Sequence, residues 1–358
     1  MYFQCHSCEQ LLMADDADAS QFIICGHCDC VTKVPEHQFA PRTLIDEFVI
    51  KKALGHGGMG TVYLAHQLSL DRMVALKVLM SDFARSSEFI RNFIREARIA
   101  AQIVHPNIVQ SYKVGEWNGV YFFAMEYVNG RTLKEIVMQE GPVHWRKALD
   151  IIRQTASALD AAWRELQLVH RDIKPDNILV DTRGVAKLAD LGLAMAAQET
   201  ITDDDEVMGT PQFISPEQIL GNAMDVRSDL YSLGASLFYV LTANFPYTGN
   251  DARDIVTQHL QAPIPNPCNL VPEIPPTVGE IVMKLLAKRI EDRYEDPMEL
   301  MTAIDTALAA PETYTRTRNQ TRTPGTASFK TTRSIKTGKT KKKIISKKLR
   351  TSTRHRPE

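Results

Sequence analysis

His170-Arg171-Asp172-Ile173-Lys174-Pro175-Asp176-Asn177 is the stretch whose reading decides the fold. Within it stand a carboxylate (Asp172), a cation two residues on (Lys174) and an amide five residues on (Asn177). Ile178-Leu179-Val180 follows, so a polar loop feeds a short buried strand. The set suits phosphoryl transfer: a carboxylate accepts a hydroxyl proton, an ammonium neutralises phosphate charge, and an amide oxygen holds a divalent metal. The competing reading is a solvated turn, and the flanking chain decides between the two.

The eight residues resemble the catalytic loop of eukaryotic-like protein kinases, and Lys174 resembles the serine/threonine subgroup. That resemblance implies partners in a fixed order. Upstream, Phe48 to Ala65 alternates like a hairpin and carries Gly55-His56-Gly57-Gly58-Met59-Gly60-Thr61-Val62, a G-x-G-x-x-G-x-V. A dinucleotide-binding loop needs a helix straight after such glycines. Here Thr61-Val62-Tyr63-Leu64-Ala65 continues as strand, so the glycines can fold over phosphates with backbone N–H groups exposed.

Val74-Ala75-Leu76-Lys77 is an apolar strand interrupted by one cation, and a buried Lys must be paired. The next helical pattern runs from near Ser86 to about Ile103 and puts Phe89, Phe93, Glu96 and Ala100 on one face. A Lys77–Glu96 ion pair is expected, holding Lys77 on the nucleotide's α and β phosphates. By resemblance, Tyr121 to Val128 is the hinge, with Met125 at the back pocket and the backbone of Glu126 and Val128 bonding adenine. Leu54, Val62, Ala75 and Leu179 would sandwich the base; as apolar residues they could equally be plain core.

Downstream, residues 131 to 167 read as two helices before the loop, and Leu188-Ala189-Asp190-Leu191-Gly192 follows it. The resemblance implies that Asp190 chelates the magnesium bridging the phosphates and that Asn177 holds a second ion. Leu191 replaces the usual Phe of that triplet and leaves the metal ligand intact. Thr200, Thr202 and Asp203-Asp204-Asp205-Glu206 lie in a segment without apolar periodicity that ends at Gly209 to Glu217. It resembles an activation segment, with Ser215 where the family most often has Ala. Thr210 would then bond Asp172 and Lys174, and Arg171 would gather a phosphorylated loop residue. The acidic run either supplies part of that negative charge or is a solvated loop. Asp229 would tie the catalytic-loop backbone, and Glu217 and Arg293 would form a buried ion pair.

Five of the six cysteines fall in the first 30 residues. Cys5-His6-Ser7-Cys8 and Cys25-Gly26-His27-Cys28 have the spacing of a zinc site, each pair a knuckle turning two thiolates toward one ion. With Phe22-Ile23-Ile24 as a strand between them, residues 1–34 resemble a zinc ribbon. Cys30, His6 and His27 are possible substitute ligands, with the plainer reading that they do not ligate. Such ribbons bind nucleic acid or protein, or cap a neighbouring domain, and the sequence does not choose.

The chain has 358 residues, 44% of them hydrophobic, as in ordinary soluble globular proteins. A net charge of −1 hides an asymmetry, because residues 312–358 hold 15 Lys/Arg against 2 Asp/Glu. This tail lacks periodicity and reads as disorder. Its Lys341-Lys342-Lys343 and Lys347-Lys348 could hold nucleic acid or an anionic surface by charge, or simply solubilise the protein. No signal peptide is read, and the longest apolar stretch, Leu230 to Leu241, falls short of the ~20 residues of a membrane span. A cytoplasmic, reducing setting is expected, which favours metal over disulfide.

The whole reads as an α+β bilobal protein kinase fold, a five-stranded N-lobe plus a helical C-lobe, preceded by a small zinc ribbon. The expected divisions are ribbon 1–34, linker 35–47, kinase domain 48–305 (N-lobe 48–127, C-lobe 130–305) and tail 306–358. Resemblance to the bacterial Hanks-type serine/threonine protein kinases implies transfer of the γ-phosphoryl of Mg-ATP, or Mn-ATP, to Ser/Thr hydroxyls of proteins, this chain included. The rival readings are a nucleotide-binding pseudokinase scaffold, disfavoured by retention of Lys77, Asp172, Asn177 and Asp190, and a nucleic-acid-associated protein acting through ribbon and tail.

Overall fold

Alternating side chains and tight turns build the first half of the chain, and apolar helices build the second. A computed structural model describes residues 1–57, 60–80, 86–191 and 211–310, without the side chains of Asp16, Glu88, Asn92 and Glu96. Residues 1–34 form two hairpins, β1 (Tyr2–Gln4) with β2 (Leu11–Met13) and β3 (Phe22–Ile24) with β4 (Val31–Lys33). The turn of each carries one Cys-x-x-Cys. Buried apolar residues here come to Phe3, Ala14 and Val34 plus the cysteines, too small a core to hold a fold unaided.

A sheet follows in the order β5-β6-β7-β8-β10-β9, antiparallel throughout: β5 (Leu44–Ile45), β6 (Phe48–Gly57), β7 (Gly60–Gln67), β8 (Arg72–Leu79), β9 (Ser111–Trp117) and β10 (Val120–Glu126). It has six strands where the sequence reading expects five. The extra one comes from the supposed linker: Leu44 pairs with Val49 and Ile45 with Phe48. Asp46 makes the two-residue turn possible by adopting the left-handed region (φ 55°), which an Asp tolerates.

Strand parity then sorts side chains between two faces. Val74, Leu76 and Val78 of β8 join Phe48, Ile50 and Phe122 on one. Ala75 and Leu79 point to the other, toward Phe93 and Ala97 of helix α1 (Ser87–Ala100). Lys77 shares the parity of Ala75, so it too faces the helix side. Ser86 caps α1 by accepting the Phe89 N–H at 3.2 Å.

The remainder is helical around a three-stranded sheet of β11 (Gly130–Thr132), β12 (Ile178–Asp181) and β13 (Ala186–Leu188). Helices α2 (Leu133–Glu140) and α3 (Trp145–Leu166) precede β12. After residue 210 come α4 (Pro216–Ile219), α5 (Val226–Thr242), α6 (Ala252–Gln261), α7 (Pro276–Leu285) and α8 (Pro297–Ala309). Helix α5 is the apolar stretch of the sequence and is buried along nearly its whole length. Three of its core hydroxyls bond carbonyls one turn back, Ser232 on the Ser228 carbonyl (3.3 Å), Ser236 on that of Ser232 (2.9 Å) and Thr242 on that of Phe238 (2.8 Å). No helix among the described residues is long and apolar enough to cross a membrane.

Candidate active site and metal centre

The loop 170–177 runs between α3 and β12, and Asp229 on α5 pins its backbone. The Asp229 carboxylate accepts the N–H of His170 at 2.7 Å and of Arg171 at 2.8 Å. Arg171 sits in the left-handed region (φ 67°), a strained choice for a residue with a Cβ, and this double bond offsets the strain. His170 receives the Asp172 N–H on Nδ1 (3.3 Å) and donates from Nε2 to the Ala189 carbonyl (3.0 Å), which sets its tautomer. Burial pushes the Asp229 carboxyl up to about 6, against the pull of His170 and the two amides.

Asp172 is thereby held with its carboxylate open to solvent and oriented by two donors. Lys174 Nζ lies 2.9 Å from Oδ1, and Asn177 Nδ2 donates at 2.9 Å to Oδ2 and at 2.8 Å to the Asp172 carbonyl. With its nitrogen so engaged, Asn177 has its side-chain oxygen left as a metal ligand. The Ala189 N–H bonds the Asn177 carbonyl (2.9 Å) and brings Asp190 beside the loop.

Asp190 Oδ1 accepts Lys77 Nζ at 2.9 Å, joining residues 113 apart in sequence. The expected Lys77–Glu96 pairing falls on a side chain outside the described residues, and the described partner of Lys77 is Asp190. A buried ammonium demands a carboxylate, and Asp190 supplies one. Burial would raise the Asp190 carboxyl, but Lys77, with His170 and Lys174 behind it, holds it below the usual carboxylate range. Asp190 and Asn177 offer oxygens and no sulfur or imidazole, the donor set of a hard divalent cation such as magnesium.

Val62, Ala75 and Leu179 gather with Met125 and Val128 in one apolar cluster, a surface that fits a planar base. Leu54 stays outside this cluster and is 42% exposed. The Glu126 N–H is engaged by the Gln110 carbonyl (2.8 Å) and its carboxylate by Lys187 (2.9 Å), so its carbonyl is the group that adenine would need. Gly55 pairs with Val62 and Gly57 with Gly60 in the β6–β7 hairpin, while Gly58 and Met59 lie outside the described residues. Gly60 must lack a side chain, since a Cβ there would land on the Val78 carbonyl oxygen.

Glu217 and Arg293 meet in a bidentate pair of 2.7 and 2.9 Å, both side chains buried. Burial would raise the Glu217 carboxyl, and Arg293 brings it below its ordinary value. Ser215 caps α4 in a reciprocal box with Gln218, whose Nε2 also donates to the Arg171 carbonyl at 2.8 Å. Gln218 thus ties the 211–219 segment to the catalytic loop, a role without any sequence signal. Thr200, Thr202, Thr210 and Asp203 to Glu206 fall outside the described residues.

At the other end of the chain, Cys5, Cys8, Cys25 and Cys28 bring their sulfurs within 4.8 Å of one another. Cys5 to Cys28 is 3.8 Å and Cys8 to Cys25 is 3.7 Å. Four ligands at ~2.3 Å around a tetrahedral zinc stand ~3.8 Å apart, so the cluster fits that ion. Thr32 Oγ1, with the N–H groups of Cys8 and Ser7, pulls the Cys5 thiol down to about 5. Against the Cys30 amide, Cys8 and burial push the Cys28 thiol up to about 12. His6, His27 and Cys30 stand outside the group of four.

A sheet lobe and a helical lobe, with loop 170–177 and the Lys77–Asp190 pair brought together at their junction, make the build of a bilobal kinase. Residues 48–304 match the family described as protein kinase domain, and the chain belongs to that family. Serine/threonine-protein kinase PrkC of Bacillus subtilis is 44% identical over 270 residues, covering 75% of this chain and 42% of that one. The probable serine/threonine-protein kinase PknB of Lactococcus lactis is 40% identical over 270 residues (75% and 43%), and PknB of Mycolicibacterium smegmatis is 39% identical over 268 (73% and 43%). The chain spans less than half the length of these relatives. The crystal structure of the Mycobacterium tuberculosis PknI kinase domain shares the fold, with a TM-score of 0.59 at 25% identity, covering 75% of this chain and 98% of that one.

Proposed function

We propose that the protein is a serine/threonine protein kinase that moves the γ-phosphoryl of Mg-ATP, or Mn-ATP, to Ser/Thr hydroxyls of proteins, itself included. The observation that carries this reading is the Asp172 carboxylate, solvent-facing and held by Lys174 and Asn177. Such a carboxylate takes the proton of an attacking hydroxyl, and Lys174 next to it offsets negative charge gathering on the transferred group. Bound nucleotide and magnesium supply the phosphoryl group and its charge neutralisation. Asn177 and Asp190 hold the cation, Lys77 the α and β phosphates, Gly55, Gly57 and Gly60 the backbone cradle, and Val62, Ala75, Leu179, Glu126 and Val128 the base. Thr200, Thr202, Arg171 and Thr210 remain the regulatory candidates.

The four cysteines are proposed to hold structural zinc, with a cytoplasmic setting that keeps them reduced. A nucleic-acid role for the ribbon is disfavoured by its charge: residues 1–34 contain Lys33 as the single Lys or Arg, against Glu9, Asp15, Asp16, Asp18 and Asp29. Phosphate incorporation from labelled Mg-ATP, followed by mass spectrometry, tests the kinase reading. Label on Ser or Thr in the wild type and its absence in Asp172→Asn supports it. Bound ATP with no label on the chain or on added basic and acidic protein substrates overturns it in favour of a scaffold.

A further inference from the structure

The ribbon carries two metal-ligating side chains that the four-cysteine cluster does not use. Cys30 Sγ lies 3.4 Å from His6 Nε2, with His6 exposed and Cys30 half-buried. A sulfur at ~2.3 Å and a nitrogen at ~2.0 Å from one tetrahedral zinc stand ~3.5 Å apart, so the pair has the separation of two ligands on one ion.

Its orientation is fixed from behind. Thr32 Oγ1, fully buried, sits between His6 Nδ1 (3.1 Å) and Cys5 Sγ (3.3 Å). A zinc-bound Cys5 has no proton to give, so the Thr32 hydroxyl donates to its sulfur and accepts from His6 Nδ1–H. The ring proton is then on Nδ1, and the Nε2 lone pair faces Cys30. A ligating histidine held through its other nitrogen is the usual build of a metal site. The Cys30 thiol has a second, longer approach of 3.7 Å to the Val31 carbonyl. Among the described residues no third His, Cys, Asp or Glu joins this pair, so one chain offers half of a four-coordinate site.

We propose that Cys30 and His6 are half of a second zinc site, which a second copy of the chain completes with its own Cys30 and His6. The inference rests on the four-cysteine cluster holding zinc, because that is what sets the Thr32 and His6 hydrogen bonds. Each shared ion would have two thiolates and two imidazoles, a common structural set for zinc.

The test titrates zinc, and in parallel cobalt(II), into the metal-free full chain while sedimentation follows mass. The expected course is a tight first step of about one ion per chain, then about half an ion more, with the mass doubling only in that second step. Cobalt in the second step gives the spectrum of a mixed sulfur–nitrogen site, distinct from the all-sulfur spectrum of the first. In Cys30→Ser and in His6→Ala the first step persists and the half-step and doubling vanish. Binding that stops after the first step overturns the proposal, as do two ions per monomer or zinc-driven doubling in Cys30→Ser. Absence of the first step from the wild type overturns the four-cysteine reading as well, so the two failures are told apart.

Discussion

Replacing Arg293 by Met removes a guanidinium that is fully committed in the core. Its Nη1 and Nη2 hold both oxygens of Glu217, and its nitrogens also serve the carbonyls of Ala287 (2.8 Å), Arg227 (3.0 Å) and Lys288 (3.2 Å). The substitution strands a buried carboxylate and three acceptors. Breaking one side of such a pair typically costs ~3–5 kcal/mol, which for a domain of this size lowers the melting temperature by about 10 °C. The pH dependence identifies the cause. In the wild type the Glu217 carboxyl is lowered, so the pair's stabilisation is present above the unfolded value of ~4.3 and lost as pH falls through the folded one. Without Arg293, burial, the largest influence on that carboxyl, is opposed only by Ser228 and the local backbone and is expected to raise it, so the deficit of the variant is greatest near neutrality and shrinks as pH falls toward its raised value. Urea unfolding of both proteins across this range measures it. Glu217→Leu combined with Arg293→Met should recover much of the loss, because no charge is left unpaired. A deficit below ~1 kcal/mol at neutral pH, or one independent of pH, refutes the reasoning.

Asp172→Asn keeps the loop's size and is expected to lower kcat by ~10²–10⁴-fold with little change in ATP affinity, read by steady-state kinetics and nucleotide titration. Asp229 gives the loop a pH limit: its carboxyl titrates at about 6, so kcat should fall as pH drops through that value and the loop amides lose a carboxylate partner. The stability sign is opposite, since a raised carboxyl favours the folded state at low pH and that advantage is lost as pH rises through about 6; Asp229→Asn should abolish both dependences. Gly60→Ala forces a methyl onto the Val78 carbonyl and should part β7 from β8 near the glycine turn, raising the KM for ATP by about tenfold, about 1.4 kcal/mol, while Asp172 chemistry at saturating ATP changes less.

The catalytic loop was legible because its donors lie within eight consecutive residues, and a turn that short leaves few ways to arrange them. The apolar strand Val74-Ala75-Leu76 likewise marked Lys77 as a buried cation in need of a partner. Its contact with Asp190 was not legible, because burial requires a carboxylate without saying which, and Asp190, 113 residues away, is brought to Lys77 only by folding of the two lobes. The apolar helix α5 was read as too short and too interrupted to span a membrane, and the interrupting Ser232 and Ser236 turn out to bond their own backbone. Leu54 is less readily placed. An apolar residue before a glycine loop invites a place over the base, yet the β6 segment from Leu54 to Gly57 carries its side chains to the surface. Gln218 and Lys187 gave no signal, since a single polar residue becomes a tie only when a distant carbonyl or carboxylate reaches it.

The segment read as a linker carries a different lesson, centred on Arg42. Its N–H bonds the Ile50 carbonyl of β6 (2.7 Å), and its own carbonyl accepts the Gln4 N–H of β1 (2.9 Å). The guanidinium then donates back to the Gln4 carbonyl (3.2 Å) and to that of Lys33 (2.8 Å), 5.9 Å from the centre of the Phe3 ring. Arg42 adopts the left-handed region to do this (φ 78°), at a cost of ~1–2 kcal/mol that the three bonds to the ribbon, at ~1 kcal/mol each, offset. The segment is therefore a strand junction shared by both hairpin systems. The β5–β6 turn adds its own anchor, with Lys113 of β9 bridging Asp46 (2.5 Å) and Glu47 (3.0 Å). Moving the ribbon independently would break Arg42's bonds to Gln4 and Lys33, while the Arg42 N–H holds Ile50 of β6, the strand that ends in Gly55 and Gly57. Arg42 thus ties the cysteine module to the strand that carries the first glycines of the hairpin.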